Sequence, residues 1–228
     1  MSFSDLFSRR RKEDSEGAEA GASDSPVHPT KALARFLSSL GAREQPLLLD
    51  LGPVVGTNVT FFGEQVGCKI LVEDLSKDID RHVRENTAAD LPAFFARRFP
   101  QADASVDGIL CWDVFDFLDR KAAEPLALQL TRILKPEGVL LAFFSTADPR
   151  SSVTPSYTKH IVIDRANLQY RPYPAACAKQ KPLLNRDIQR MFEPLTISEQ
   201  FLLKSNLREV LFRKPAASAV PPADSAGQ

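Results

Sequence analysis

From residue 47 to residue 145, short apolar runs alternate with stretches of helical spacing, and few architectures accommodate that alternation. Residues 47–51 form a continuous apolar run ending in Asp50 and Gly52, as expected of a strand buried on both faces. The runs 69–73, 108–112 and 139–145 repeat the pattern. Helical spacing fills the intervals. Residues 31–40 place Leu33, Phe36, Leu37 and Leu40 on one face behind Thr30 as a cap, and Val59, Phe61, Phe62 and Val66 suit a helix ended by Gly67. Segments 77–85, 91–99, 124–134 and 185–192 read the same way. Strands separated by helices imply a mainly parallel, doubly wound α/β sheet, which binds ligands at the carboxyl ends of its strands. Two last runs, 196–203 and 208–213, are joined only by the segment from Lys204 to Leu207. So short a link makes them an antiparallel hairpin.

An apolar fraction of 43% in 228 residues supports one globular body, with polar tails left over. Residues 15–30 and 215–228 carry few large apolar side chains and cannot offset their ordering entropy. The expected division is a disordered tail over 1–30, a domain over 31–214 and a second disordered tail over 215–228. Near the start, Phe3, Leu6 and Phe7 with Arg9, Arg10 and Arg11 form either a short amphipathic hook or a frayed terminus. Lysine plus arginine equal aspartate plus glutamate at 29 each, so the overall charge gives no support for general nucleic-acid binding. Cys68, Cys111 and Cys177 lie far apart with no histidine at ligand spacing. No metal site is expected from them, and a reducing, cytoplasmic setting is. No run approaches the ~18 apolar residues of a membrane span, and no secretory signal follows the basic start.

Chemistry concentrates at three places. After the first strand, Gly52-Pro53-Val54-Val55-Gly56 is a turn into a helix. Its glycines lack the β-carbons that block close approach of a ligand to backbone, and the helix start presents unpaired amides. No Gly-Lys-Ser/Thr follows, and Val54 stands where a dinucleotide fingerprint needs its second glycine. After the second strand, Glu73 and Asp74 lie about twenty residues beyond the glycine turn, where a carboxylate can accept both ribose hydroxyls of a nucleoside cofactor. Neighbouring strand residues face opposite ways, so one of the two does this at a time; Ser76 as a helix N-cap with a solvated Asp74 is the competing explanation. The third place runs from Val106-Asp107 through Trp112-Asp113, and is followed by Arg132-Ile133-Leu134-Lys135-Pro136-Glu137-Gly138.

On these motifs the chain resembles the class I S-adenosylmethionine-dependent methyltransferases, as a bacterial methyltransferase-like protein with a divergent first motif. The resemblance covers residues 31–214 and implies a Rossmann-like, doubly wound, seven-stranded, mostly parallel sheet with an antiparallel C-terminal hairpin. It implies S-adenosylmethionine as cofactor. Asp50, Gly52 and Gly56 would border its methionine moiety, and Asp74, or else Glu73, would hold the ribose. Residues 90–103 would lie near the adenine, and Trp112 and Asp113 beside the sulfonium and the acceptor. The sequence departs from the family's usual Gly-x-Gly-x-Gly turn by having Pro53 and Val54 inside it, and at Glu137, which replaces the first glycine of the Lys-Pro-Gly-Gly turn. A third strand is also hard to find.

Methyl transfer from a sulfonium chiefly needs alignment, and needs a base only if the acceptor must lose a proton. Asp113 is the first candidate base, with His160 and Tyr157 next; Asp113 as a turn cap and Trp112 as sheet packing remain the alternatives. Residues 146–184 are the least family-like, and 160–164 alternate as an added strand would. The expected function is methyl transfer to an unidentified acceptor. A noncatalytic relative that keeps the fold as a binding module is the alternative. A nicotinamide-dependent oxidoreductase is disfavoured by the missing fingerprint and the C-terminal hairpin.

Overall fold

The computed structural model describes residues 26–148 and 154–216. The expected amphipathic hook and most of both expected tails lie outside the described residues.

The first described elements are strand β1 (Val27–Pro29) and helix α1 (Ala32–Gly41). Then come β2 (Leu47–Asp50), α2 (Gly56–Thr60) continued by a wider turn over Phe61–Gln65, β3 (Lys69–Val72) and α3 (Leu75–Arg84). Helix α4 (Leu91–Phe95), strand β4 (Val106–Trp112), helix α5 (Arg120–Ile133) and strand β5 (Leu134–Ser145) complete the alternating part. The remainder is β6 (Ser156–Asp164), β7 (Asn167–Pro174), α6 (Asn185–Met191), β8 (Thr196–Leu202) and β9 (Leu207–Arg213).

The central sheet has the order β3-β2-β4-β5-β9-β8. The pairs β2/β3, β2/β4 and β4/β5 are parallel, and β9 joins antiparallel to both β5 and β8. The α/β class, the mostly parallel core and the closing hairpin are as expected. The strand count differs: six strands pair among the described residues, where the family resemblance implies seven. The cause is legible in residues 85–105. Leu91, Phe95 and Phe99 recur four apart and all three are buried, so this stretch packs a helix onto the sheet face. Among the described residues no strand extends the sheet beyond β3.

Each face of the sheet has its own apolar layer. Ala32, Leu33, Phe36, Leu37 and Leu40 of α1 pack with Leu48, Leu110 and Leu141 on one side. Helices α3, α4 and α5 pack on the other with Leu49, Ile109 and Leu140. Alternate residues of each strand thus serve opposite layers, as the pleat dictates. Gly108 lets α1 approach β4 closely, since a β-carbon there would stand 2.6 Å from the Leu40 Cδ2. Thr30 Oγ1 accepts from the Leu33 amide at 3.4 Å, while the buried Glu209 carboxylate accepts from the amides of Lys31 and Ala32 at 2.8 Å. An acid of β9 therefore satisfies the first turn of a helix 177 residues away.

The Arg132–Gly138 motif turns out to be structural. Arg132 donates to the carbonyls of Phe99 and Gln101 and to Asp103. Lys135 Nζ reaches Asp107 at 2.8 Å, and Arg43 and the Leu47 amide reach the same carboxylate at 2.9 Å. One buried acid thereby gathers the starts of three strands.

A second, three-stranded sheet has the order β1-β7-β6 and is wholly antiparallel. It contains the added strand expected over 160–164, extended to the whole of Ser156–Asp164. Its first strand, Val27–Pro29, falls within the stretch 1–30 assigned to the tail.

Glu137 has φ 62°, in the left-handed region. That conformation explains why a glycine suits this position in related turns. Glu137→Gly is expected to stabilise the fold by about 0.5–1 kcal/mol, read as a higher urea midpoint with an unchanged slope. A lower midpoint would refute the assignment.

Candidate functional site

The carboxyl ends of β2, β3 and β4 meet where a doubly wound sheet places its ligands. Asp50 closes β2 and is 4% exposed. Its Oδ1 accepts from the Gly52 amide at 2.9 Å and from the Trp112 Nε1 at 2.6 Å. Burial raises its pKa to about 6, although both hydrogen bonds act to lower it. Gly52 is needed for a reason internal to the chain. A β-carbon there would lie 2.7 Å from Trp112 Cδ1, so the indole occupies the ground that the glycine opens.

Trp112 ends β4 with φ 48°, a reversal that turns its indole back over the Gly52 turn. The ring lies 4.9 Å from His160 of β6 at an interplanar angle of 6°. His160 is 4% exposed, and burial lowers its pKa to about 4. Its Nδ1 has no hydrogen-bond partner. Helix α2 binds the same strand: Asn58 donates to the His160 carbonyl and accepts from the Val162 amide, both at 2.8 Å. Asn58 thus acts like one residue of a neighbouring strand.

At the end of β3, Glu73 is ion-paired with Arg98 at 2.8 Å. Asp74 accepts from the Ser76 hydroxyl, and Lys77 stands 3.4 Å away. Ser76 in turn accepts from the Tyr173 hydroxyl at 2.9 Å. The serine lies inside α3 rather than at its cap; Asp74 holds the cap position, and its carboxylate bonds to the Ser76 hydroxyl without capping a backbone amide. Beyond β4, Asp113 shares Lys179 with Asp116, each carboxylate 2.9 Å from the ammonium. Burial opposes the charge on Lys179, yet the two acids outweigh it and hold its pKa above the usual lysine range. Burial also raises Asp116 to about 6. Asp113 makes no side-chain cap to the turn that follows it.

The β6–β7 hairpin crosses this whole region. Besides the Tyr173–Ser76 bond, Tyr157 donates to Asp80 of α3 at 2.8 Å, and the Ala176 amide reaches the same oxygen at 2.9 Å. What remains between Gly52, Ser76, Trp112, Asp113, Tyr157 and Tyr173 is a cavity of about 20 Å³. That is room for one or two waters.

Of the residues singled out from the sequence, Asp50, Gly52, Trp112 and Asp113 converge here, with Asp74 one hydrogen bond removed through Ser76. Gly56 does not join them; it is exposed, with nothing within 4 Å of the place of its β-carbon. Glu73 is engaged by Arg98, and none of residues 90–103 lines the cavity. Sequence reasoning did not single out Asn58, Asp80, Asp116 or Lys179. The contacts that tie Asn58 and Asp80 to β6 and Asp116 to Lys179 span 63 to 104 residues, and no local spacing signals such contacts. Among the described residues no cluster of potential metal ligands occurs, and no helix is long and apolar enough to cross a membrane.

Residues 49–142 match the family described as methyltransferase domain. No curated protein matches the chain. Among solved structures, the 1,6-didemethyltoxoflavin-N1-methyltransferase of Burkholderia thailandensis, determined with 1,6-didemethyltoxoflavin and S-adenosylhomocysteine, is similar at 15% identity over 93% of this chain and 86% of its own, with TM-score 0.49. A TehB-like SAM-dependent methyltransferase from Corynebacterium glutamicum is 16% identical over 92% and 97%, with TM-score 0.44. The CcbJ methyltransferase from Streptomyces caelestis is 13% identical over 81% and 94%, with TM-score 0.47.

The stacked His160 yields a pH prediction. An unfolded histidine takes up its proton near pH 6.5, the folded one only near pH 4. Between those values the unfolded chain binds the extra proton, so acidification favours unfolding. Wild type is expected to lose roughly 2–3 kcal/mol relative to His160→Gln between pH 6.5 and 4, measured by urea unfolding. Parallel stability curves for the two proteins would exclude a buried neutral imidazole.

Proposed function

We propose that this chain, as a protein with a methyltransferase domain, is an S-adenosylmethionine-dependent methyltransferase acting on an unidentified acceptor. The observation that carries the reading is the convergence of Asp50, Gly52 and Asp74 at the carboxyl ends of two adjacent parallel strands, within the matched segment. Methyltransferases similar in structure are described with S-adenosylmethionine or its analogues bound, which agrees with the choice of cofactor. The three cysteines are free, as a cytoplasmic setting would have them.

Asp74 is the residue proposed to hold the ribose, since Glu73 is occupied by Arg98. Asp50 and the Gly52 backbone are proposed to face the methionine moiety. When bound, the cofactor supplies an activated methyl group on a positively charged sulfur. The protein's share is alignment and exclusion of water. Asp113 is the proposed acid–base group, and it can serve only when Lys179 releases it.

The closed arrangement does not fit the cofactor. A cavity of about 20 Å³ is far below the ~300 Å³ at which ligand pockets begin. The Trp112 indole over Gly52 therefore favours a second reading, a noncatalytic member of the family that keeps the fold for binding a partner.

Thermal shift with S-adenosylhomocysteine separates the two. Stabilisation is expected, weakened about tenfold or more in affinity by Asp74→Ala but not by Glu73→Ala. Absence of any shift at millimolar ligand, in wild type and in variants that loosen the β6–β7 hairpin, would replace the enzyme by the noncatalytic reading.

A further inference from the structure

We infer that the chain closes its own cofactor position with Trp112 and the β6–β7 hairpin, and that an adenosyl ligand enters by displacing the Trp112–His160 stack. The inference rests on the cofactor reading above and adds to it a gate built from this chain's residues.

Four observations converge. The first is occupancy: the space beside Gly52 that its missing β-carbon leaves open is filled by Trp112 Cδ1 and Nε1, at 2.7 and 2.9 Å from where that carbon would be. The second is mimicry of ligand contacts. Asp50 already has a donor in Trp112 Nε1, and Asp74 has one in the Ser76 hydroxyl. Each carboxylate proposed to meet the cofactor thus already holds a neutral donor of the protein, with the exposed Lys77 ammonium also 3.4 Å from Asp74, and a neutral hydrogen bond is weak enough to be exchanged for a ligand's donors. The third is fastening. The hairpin is latched to α3 by Tyr157 to Asp80 and Tyr173 to Ser76, and the segment just beyond it by Lys179 between Asp113 and Asp116. These contacts join side chains 63 to 97 residues apart; both tyrosine rings rest against the apolar layer beneath, while their hydroxyls and the groups they reach, Asp80 and Ser76, lie outside it. The fourth is incomplete satisfaction behind the plug. His160 Nδ1 and Tyr170 Oη are buried without partners, so the closed packing leaves polar atoms that opening would return to water.

A closed state of this kind lowers apparent affinity by the fraction of molecules that are open. Removing a contact present only in the closed state raises that fraction. Trp112 is the chain's single tryptophan, so its fluorescence reports the plug without ambiguity.

The experiment titrates S-adenosylhomocysteine into wild type, the double variant Tyr157→Phe/Tyr173→Phe, and Asp80→Ala as an independent cut of the same latch. It follows Trp112 emission, acrylamide quenching and amide exchange over residues 156–174, with circular dichroism to verify folding. Ligand is expected to red-shift Trp112 emission, increase its quenching and speed exchange in the hairpin. Binding is expected to tighten by about fivefold per hydrogen bond removed. Binding to wild type with Trp112 emission and hairpin exchange unchanged would overturn the gate and leave the cofactor reading standing. Equal affinity in wild type and both folded variants would also overturn it. Failure of all three proteins to bind would remove the cofactor reading, and the gate with it.

Discussion

The hydrogen bond from the Trp112 indole to Asp50 is the contact on which the arrangement of the site depends. It joins the ends of β2 and β4, the two strands at the middle of the parallel sheet, and it does so over Gly52, where a β-carbon would stand 2.7 Å from the indole. Once the indole lies there, His160 has a flat surface to stack upon, and β6 is brought within reach of Asn58. The hairpin then lies across the strand ends, and Tyr157 and Tyr173 find α3. Without the buried carboxylate the tryptophan would have no polar anchor. Its N–H would be a buried unpaired donor, at a cost of about 1–3 kcal/mol.

Much of the fold was legible because it follows from short-range pattern. Apolar runs such as 47–51 and 139–145 can only be satisfied in a sheet covered on both sides, and the four-residue link from Lys204 to Leu207 can only join antiparallel neighbours. The same reasoning found the added strand at 160–164 from its alternation. It overestimated the sheet because the seventh strand was inferred from family likeness, whereas Leu91, Phe95 and Phe99 carry helical spacing. The site was legible only as a set of positions. Asp50, Gly52 and Asp113 lie at strand ends where the pattern puts them. Nothing local could tell that Lys179 would settle between two acids, or that Trp112 would lie on the glycine rather than beside a ligand.

Stability and binding are distributed differently through the molecule. Asp107 holds Arg43, Lys135 and the start of β2 at the amino ends of the strands, and Glu209 fastens α1 to β9. These contacts connect elements that must assemble for any core to form. At the opposite end, the tyrosine hydroxyls connect the core to an accessory sheet, and Lys179 fastens the segment that follows it. Motifs can therefore mislead in either direction: the Arg132–Gly138 segment reads as a signature yet works as a brace, whereas Asp80, outside any motif, fastens the region over the site.

Trp112 is a bulky residue with φ in the left-handed region, a conformation that costs of order 1–3 kcal/mol. The cost is offset by the indole's own hydrogen bond and stack, so backbone and side chain of one residue pull in opposite directions. A torsion balanced in this way behaves as a spring under load. When it relaxes toward the ordinary basin, the ring leaves Gly52 and the Asp50 carboxylate loses its indole donor in the same movement, keeping only the Gly52 amide. Vacating the space and making the acid available are then a single event, governed by one bond's rotation.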